Sequence, residues 1–130
     1  MTRHPVELQI EKADRAINGE DFDTLMDIYS DDAVLVVKPG MNVVGKVEIR
    51  KAMEAIAAYF NHSLDVRQAR MKILESGDTA LVLAHTLVSA SNMPTVERSA
   101  TYVFRRNPTG SWLCAIDNSY GHELLLRQDA

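Results

Sequence analysis

Four extended stretches fill the second half of the chain, about Leu64 to Glu75, Asp78 to Ala90, Thr95 to Arg106 and Trp112 to Gly121. Only short polar breaks separate them: Ser76-Gly77, Ser91 to Pro94, and Asn107-Pro108-Thr109-Gly110. Breaks of that kind join neighbouring antiparallel strands, so the stretches read as a meander. Each is about twice the common strand length, and long strands in a twisted sheet curl instead of lying flat. A curled sheet has a concave face, and that face must be covered by something apolar.

The first half supplies the cover. Val6, Ile10, Ala13 and Ile17 recur at helical spacing behind Pro5, with Glu7, Glu11, Lys12, Asp14 and Arg15 on the opposite side. Asn18-Gly19-Glu20 ends this helix, and Asp21 is placed to cap a short second one carrying Phe22, Leu25, Met26 and Tyr29 as a stripe. Ala33 to Lys38 reads as a buried strand stopped by Pro39-Gly40. A third helix follows Gly45, with Ile49, Ala52, Met53, Ile56 and Phe60 on one face. The expected fold class is α+β: three N-terminal helices packed in the concave face of a long, curved, mostly antiparallel sheet, a cone-shaped half-barrel. At 130 residues the expectation is one domain spanning 1–130.

Charge excludes some functions. Lys plus Arg number 14 against 18 Asp plus Glu, for a net charge of -4 and a pI near 5.5. That is the wrong sign for a surface that neutralises phosphates, so no nucleic-acid partner is expected. No apolar stretch approaches the length needed to span a bilayer, and the polar N-terminus reads as no export signal. The single cysteine, Cys114, sits in an apolar run and reads as a buried thiol; a cytoplasmic location is expected. His4, His62 and His122 are scattered without metal-ligand spacing, so neither metal nor cofactor is expected.

The run AINGEDFDTLMDIYSDDAVLVVKPG followed by VVGKVEIRKAM resembles the nuclear transport factor 2-like superfamily, with its cystatin-like cone fold. That superfamily takes in ketosteroid isomerase-like and SnoaL-like proteins. Ser76-Gly77-Asp78, Gly110-Ser111-Trp112 and Asp117-Asn118-Ser119-Tyr120-Gly121 extend the resemblance over nearly the whole chain. It implies a cone with a pocket, often paired as a homodimer, and leaves function open because the fold hosts many activities. Steroid isomerases of this family use an aspartate before the Pro-Gly turn, a first-helix tyrosine and a later-strand aspartate. The corresponding positions here hold Val37, Ala13 and Tyr102, which lack two of the three functional groups. SnoaL-like cyclases use a late-strand aspartate, for which Asp117 is the counterpart.

Strand alternation sorts the candidates. Pairing Arg106 with Trp112 groups Phe104, Tyr102, Ala100 and Arg98 with Trp112, Cys114, Ile116, Asn118 and Tyr120, and leaves Asp117 outside. The resemblance implies that the residue at Tyr120 lines the pocket, and that Leu81, Leu83, His85 and Leu87 face inward. The expected cavity is therefore built from Ile17, Met53, Ile56, Phe60, Leu83, Leu87, Phe104, Trp112 and Ile116. Its inward polar groups would be His85, Tyr102, Asn118, Tyr120 and Arg98, with His85 as general base and Tyr102 or Asn118 polarising a carbonyl. Asp31-Asp32, between helix and strand, reads as structural.

Two functions are compatible with this reading. One is a small-molecule pocket protein that takes a mainly apolar ligand with a carbonyl or hydroxyl group and supports isomerisation, cyclisation or dehydration. The other is a non-catalytic homodimeric association or ligand-binding module whose outer sheet face, with Ser99, Thr101, Val103, Ala115 and Asp117, meets a second copy.

Overall fold

A computed structural model describes residues 3–126. Helix α1 (Pro5–Asn18) is capped by His4, whose ring Nδ1 accepts the Val6 N–H at 3.0 Å. Helix α2 (Phe22–Met26) is capped by Asp21, which accepts the Thr24 N–H at 3.2 Å. Strands β1 (Tyr29–Lys38) and β2 (Met41–Val44) form a hairpin, and α3 (Lys46–Tyr59) follows Gly45. Strands β3 (Asp65–Ser76), β4 (Thr79–Ala90), β5 (Met93–Arg106) and β6 (Trp112–Asn118) complete the meander, and a 3-10 turn covers Gly121–Leu125. Among the described residues no helix is long and apolar enough to cross a membrane.

The strands form one sheet in the order β2-β1-β6-β5-β4-β3. Every neighbouring pair is antiparallel except β1 and β6. The α+β architecture matches the expectation, and Arg106 does pair with Trp112. Two details differ. The first strand begins at Tyr29 instead of Ala33, and β2 was not foreseen, because four mostly exposed residues carry too little apolar pattern to register as a strand.

The core lies between the helices and the concave sheet face. Val6, Leu25, Ile28, Ile49 and Val82 are fully buried there, each contributing roughly 1.5–3 kcal/mol of transfer free energy. From β4 the inward residues are Ala80, Val82, Ala84 and Thr86, paired with Phe104, Tyr102, Ala100 and Arg98 of β5. The register slips at several bulges. In β5 an extra residue lies beside Pro94: Ala90 pairs with Met93, but Val88 pairs with Val96. In β6, Phe104 pairs with Cys114 while Val103 pairs with Ile116, which leaves Ala115 over. In β3, Ala69 is the extra residue between Gln68 and Arg70. Each extra residue reverses which face the following side chains occupy.

Candidate functional site

Between α1, α3 and the concave sheet face lies a cavity of about 170 Å³. Its walls are mainly apolar, with Ile10, Ala13 and Ile17 from α1, Met53 and Ile56 from α3, and Phe60 just beyond. Leu35, Val36, Val66, Val88 and Phe104 supply the sheet side. An apolar hollow of this size takes a molecule built around one aromatic ring.

Two carboxyl groups open into it. Asp14 stands four residues after Ile10 and three before Ile17, so the helical repeat carries it onto the apolar flank of α1 instead of the solvent side. Gln68 Nε2 donates to its two carboxylate oxygens at 3.1 and 3.4 Å. Asp117 reaches the cavity because the extra residue Ala115 turns β6 by one position, which pairs Asp117 with Tyr102 on the inner face. The Tyr29 hydroxyl donates to Asp117 Oδ2 at 2.5 Å.

Burial dominates the acid–base character of both groups. It pushes the Asp14 carboxyl up to about 7 against the opposing pull of the Gln68 hydrogen bond, and the Asp117 charge adds to the rise. Burial likewise raises the Asp117 carboxyl, while the Tyr29 hydrogen bond draws it back. The Tyr29 and Tyr102 phenols are both raised, first by burial and then by the charge of Asp117. Desolvation also raises the Cys114 thiol, which therefore stays protonated and poorly nucleophilic.

A hydrogen-bond chain runs from Asp14 across the inner sheet face. Gln68 donates to Asp14, so its carbonyl oxygen is left to accept from Thr86 Oγ1 at 2.9 Å. Thr86 has only one hydroxyl proton to give, so at 3.2 Å it is Tyr102 that donates to Thr86. The Tyr102 proton is thereby held within the chain.

Of the residues expected in the cavity, Ile17, Met53, Ile56, Phe60, Arg98, Tyr102, Phe104 and Tyr120 border it. The others do not. His85 lies on the outer face, half exposed, with Nδ1 2.7 Å from Glu97 Oε1. Uninterrupted pairing from the Ala90–Met93 turn would set His85 opposite Arg98 and inside; the extra residue by Pro94 sets it opposite Ser99 instead. Leu83 and Leu87 share this outward parity. Ile116 is outward and 42% exposed, displaced by the same bulge that brings Asp117 in. Asn118 pairs with Thr101 on the outer side, where its Oδ1 accepts the N–H groups of Tyr120 and Gly121 and holds a turn. Trp112 is buried outside the cavity, its carbonyl bonded by Gln9 and its ring stacked under Arg106.

Missed from the sequence were Asp14, Tyr29, Gln68 and Thr86, while Asp117, singled out by the family resemblance, was set outside by uninterrupted strand parity. Of the four, only Asp14 carried a readable signal, its place between Ile10 and Ile17.

Comparison with known proteins agrees with the architecture. A search of curated protein sequences finds no significant match. A candidate ketosteroid isomerase from Shewanella frigidimarina superposes with a TM-score of 0.77 at 13% identity, over 88% of this chain and 93% of the other. A protein of unknown function with a cystatin-like fold from Nostoc punctiforme gives 0.75 at 15% identity, over 86% and 84%. A candidate dehydratase of the nuclear transport factor 2-like family from Streptomyces avermitilis gives 0.65 at 25% identity, over 86% and 89%. Residues 6–115, nearly the whole of the sheet and all three helices, match the SnoaL-like domain, and the chain belongs to that family.

Proposed function

We propose that the protein binds a mainly apolar small molecule carrying a carbonyl or hydroxyl group and moves a proton on it. The observation that carries this reading is the meeting of Asp14 and Asp117, from opposite ends of the sequence, in one apolar cavity. Two carboxyl groups coupled through a low-dielectric space do not ionise together, so one serves as base while the other stays protonated. Asp117, whose charge helps to hold the proton on Asp14, is the base, its carboxylate braced by the Tyr29 hydroxyl. Asp14, which keeps its proton up to about 7, is the acid that hydrogen-bonds the developing oxyanion. Gln68, Thr86 and Tyr102 hold Asp14 in position. A proton removed next to a carbonyl and returned elsewhere is an isomerisation; loss of a β-hydroxyl from the same enolate is a dehydration. The isomerase and dehydratase descriptions of two structural neighbours fit this chemistry.

The test uses 4-phenylbutan-2-one, a ring-sized neutral ketone. Its α-protons should exchange in deuterium oxide faster with the protein than with buffer, by a margin that falls as pH climbs through about 7 and Asp14 loses its proton. Asp117→Asn should still bind the ketone yet lose about a hundredfold or more in exchange, the usual scale for a general base. Exchange no faster than buffer would overturn the proton-transfer step, and absence of ketone binding would overturn the pocket.

A second reading, association of two copies, is favoured by one observation. Leu74, Leu81, Val103, Ile116, Val34 and Val44 are paired in sequence across all six strands, on the face opposite the cavity. Leu74 is 50% exposed and Val44 60%, an apolar line that a monomer leaves wet.

A further inference from the structure

Arg98 is an unusual residue to find bordering an apolar cavity. Its β5 neighbours Arg105 and Arg106 are each closed by an aspartate, Asp32 at 2.6 Å and Asp78 at 2.8 Å. Arg98 has no such partner among the described residues. Its guanidinium carbon lies over the Tyr120 ring, 4.5 Å from the centroid, and both residues border the cavity. A cation–π contact of this kind uses none of the guanidinium N–H donors, and no side-chain hydrogen bond from Arg98 takes them among the described residues.

We propose that Arg98 is the anion-recognising residue of the cavity, and that the ligand is an amphipathic carboxylate with its apolar body between the helices and the sheet. The inference rests on the pocket reading given above and names its ligand class. A guanidinium edge matches a planar carboxylate with two parallel hydrogen bonds, and one such cation balances one negative charge. Ser119, next to Tyr120 and also bordering the cavity, offers a hydroxyl as a further donor. Apolar walls strengthen the pairing relative to bulk water.

The backbone positions of Arg98 and of the acid-bearing residues are set apart along the sheet. Arg98 lies four residues along β5 from Tyr102, the partner of Asp117, or about 13 Å at the rise of a strand. From Gln68, which holds Asp14, it is two strands across through Thr86, about 10 Å. A ligand spanning the two ends would present its carboxylate to Arg98 and its carbonyl to Asp14 and Asp117.

Titration calorimetry with 4-oxo-4-phenylbutanoate, its primary amide and 4-phenylbutan-2-one tests the assignment. The carboxylate should bind at least tenfold more tightly than the amide, with an advantage that shrinks as salt is added. Arg98→Met should remove that advantage while leaving amide and ketone affinity within about twofold, and Arg98→Lys should restore part of it. Equal affinity of carboxylate and amide for the parent protein, or equal loss of both in Arg98→Met, overturns the role of Arg98 and leaves the pocket standing. Failure of all three probes to bind the parent overturns both.

Discussion

Asp14 ties the site to the stability of the molecule. Its carboxyl moves from 3.8 in an unfolded reference to about 7 in the folded chain, so the folded state holds the proton more tightly. The resulting stabilisation is complete below about pH 4 and is lost as pH rises through about 7. A shift of about three units corresponds to at most about 4 kcal/mol, and for a half-buried group we expect on the order of 2. Asp14→Asn should therefore be more stable than the parent at about pH 8.5, by that order, and close to it near pH 4. Urea denaturation at the two pH values measures this, and a parent whose stability is flat from pH 4 to 8.5 would show that Asp14 is not held as described. The same residue marks the limit of reading by residue type: an aspartate beside Lys12 and Arg15 looks solvated until the helix is rotated by its true period.

The elements themselves were legible in outline. Three apolar stripes and four long alternating stretches emerge from periodicity, and the Arg106–Trp112 register from the apolar pattern together with the family resemblance. What periodicity could not supply is the inner face of β4 and the end of β6. Both faces of β4 carry apolar residues, Ala80, Val82 and Ala84 against Leu81, Leu83 and Leu87, so bulk favours the outer set. The parity of β6 reverses at Ala115, and no residue type announces a bulge there. The turn after β6 is equally specific. Gly121 has φ +55°, and a Cβ on it would stand 2.0 Å from the Ser99 carbonyl oxygen. Gly121→Ala should cost on the order of 2–4 kcal/mol and loosen Tyr120 over Arg98, weakening carboxylate binding more than ketone binding. Thermal melts with the two probes measure both effects; a variant as stable as the parent would show that the turn opens freely.

At the scale of the molecule the sheet has two distinct faces, a hollow one holding the cavity and an outer one carrying the apolar line from Leu74 to Val44. If the outer line joins two copies, sedimentation at micromolar concentration should give a dimer, and Leu81→Glu with Ile116→Glu should give a folded monomer that still binds the ketone. A monomeric parent would remove the association reading without touching the cavity. The parallel contact between β1 and β6 has a different sort of consequence. Tyr29 and Asp117 are 88 positions apart, and neither can meet the other until the final strand slots in beside the first. On the ribosome the pocket therefore stays unfinished, whatever the helices have already done, until β6 has been made and docked beside β1.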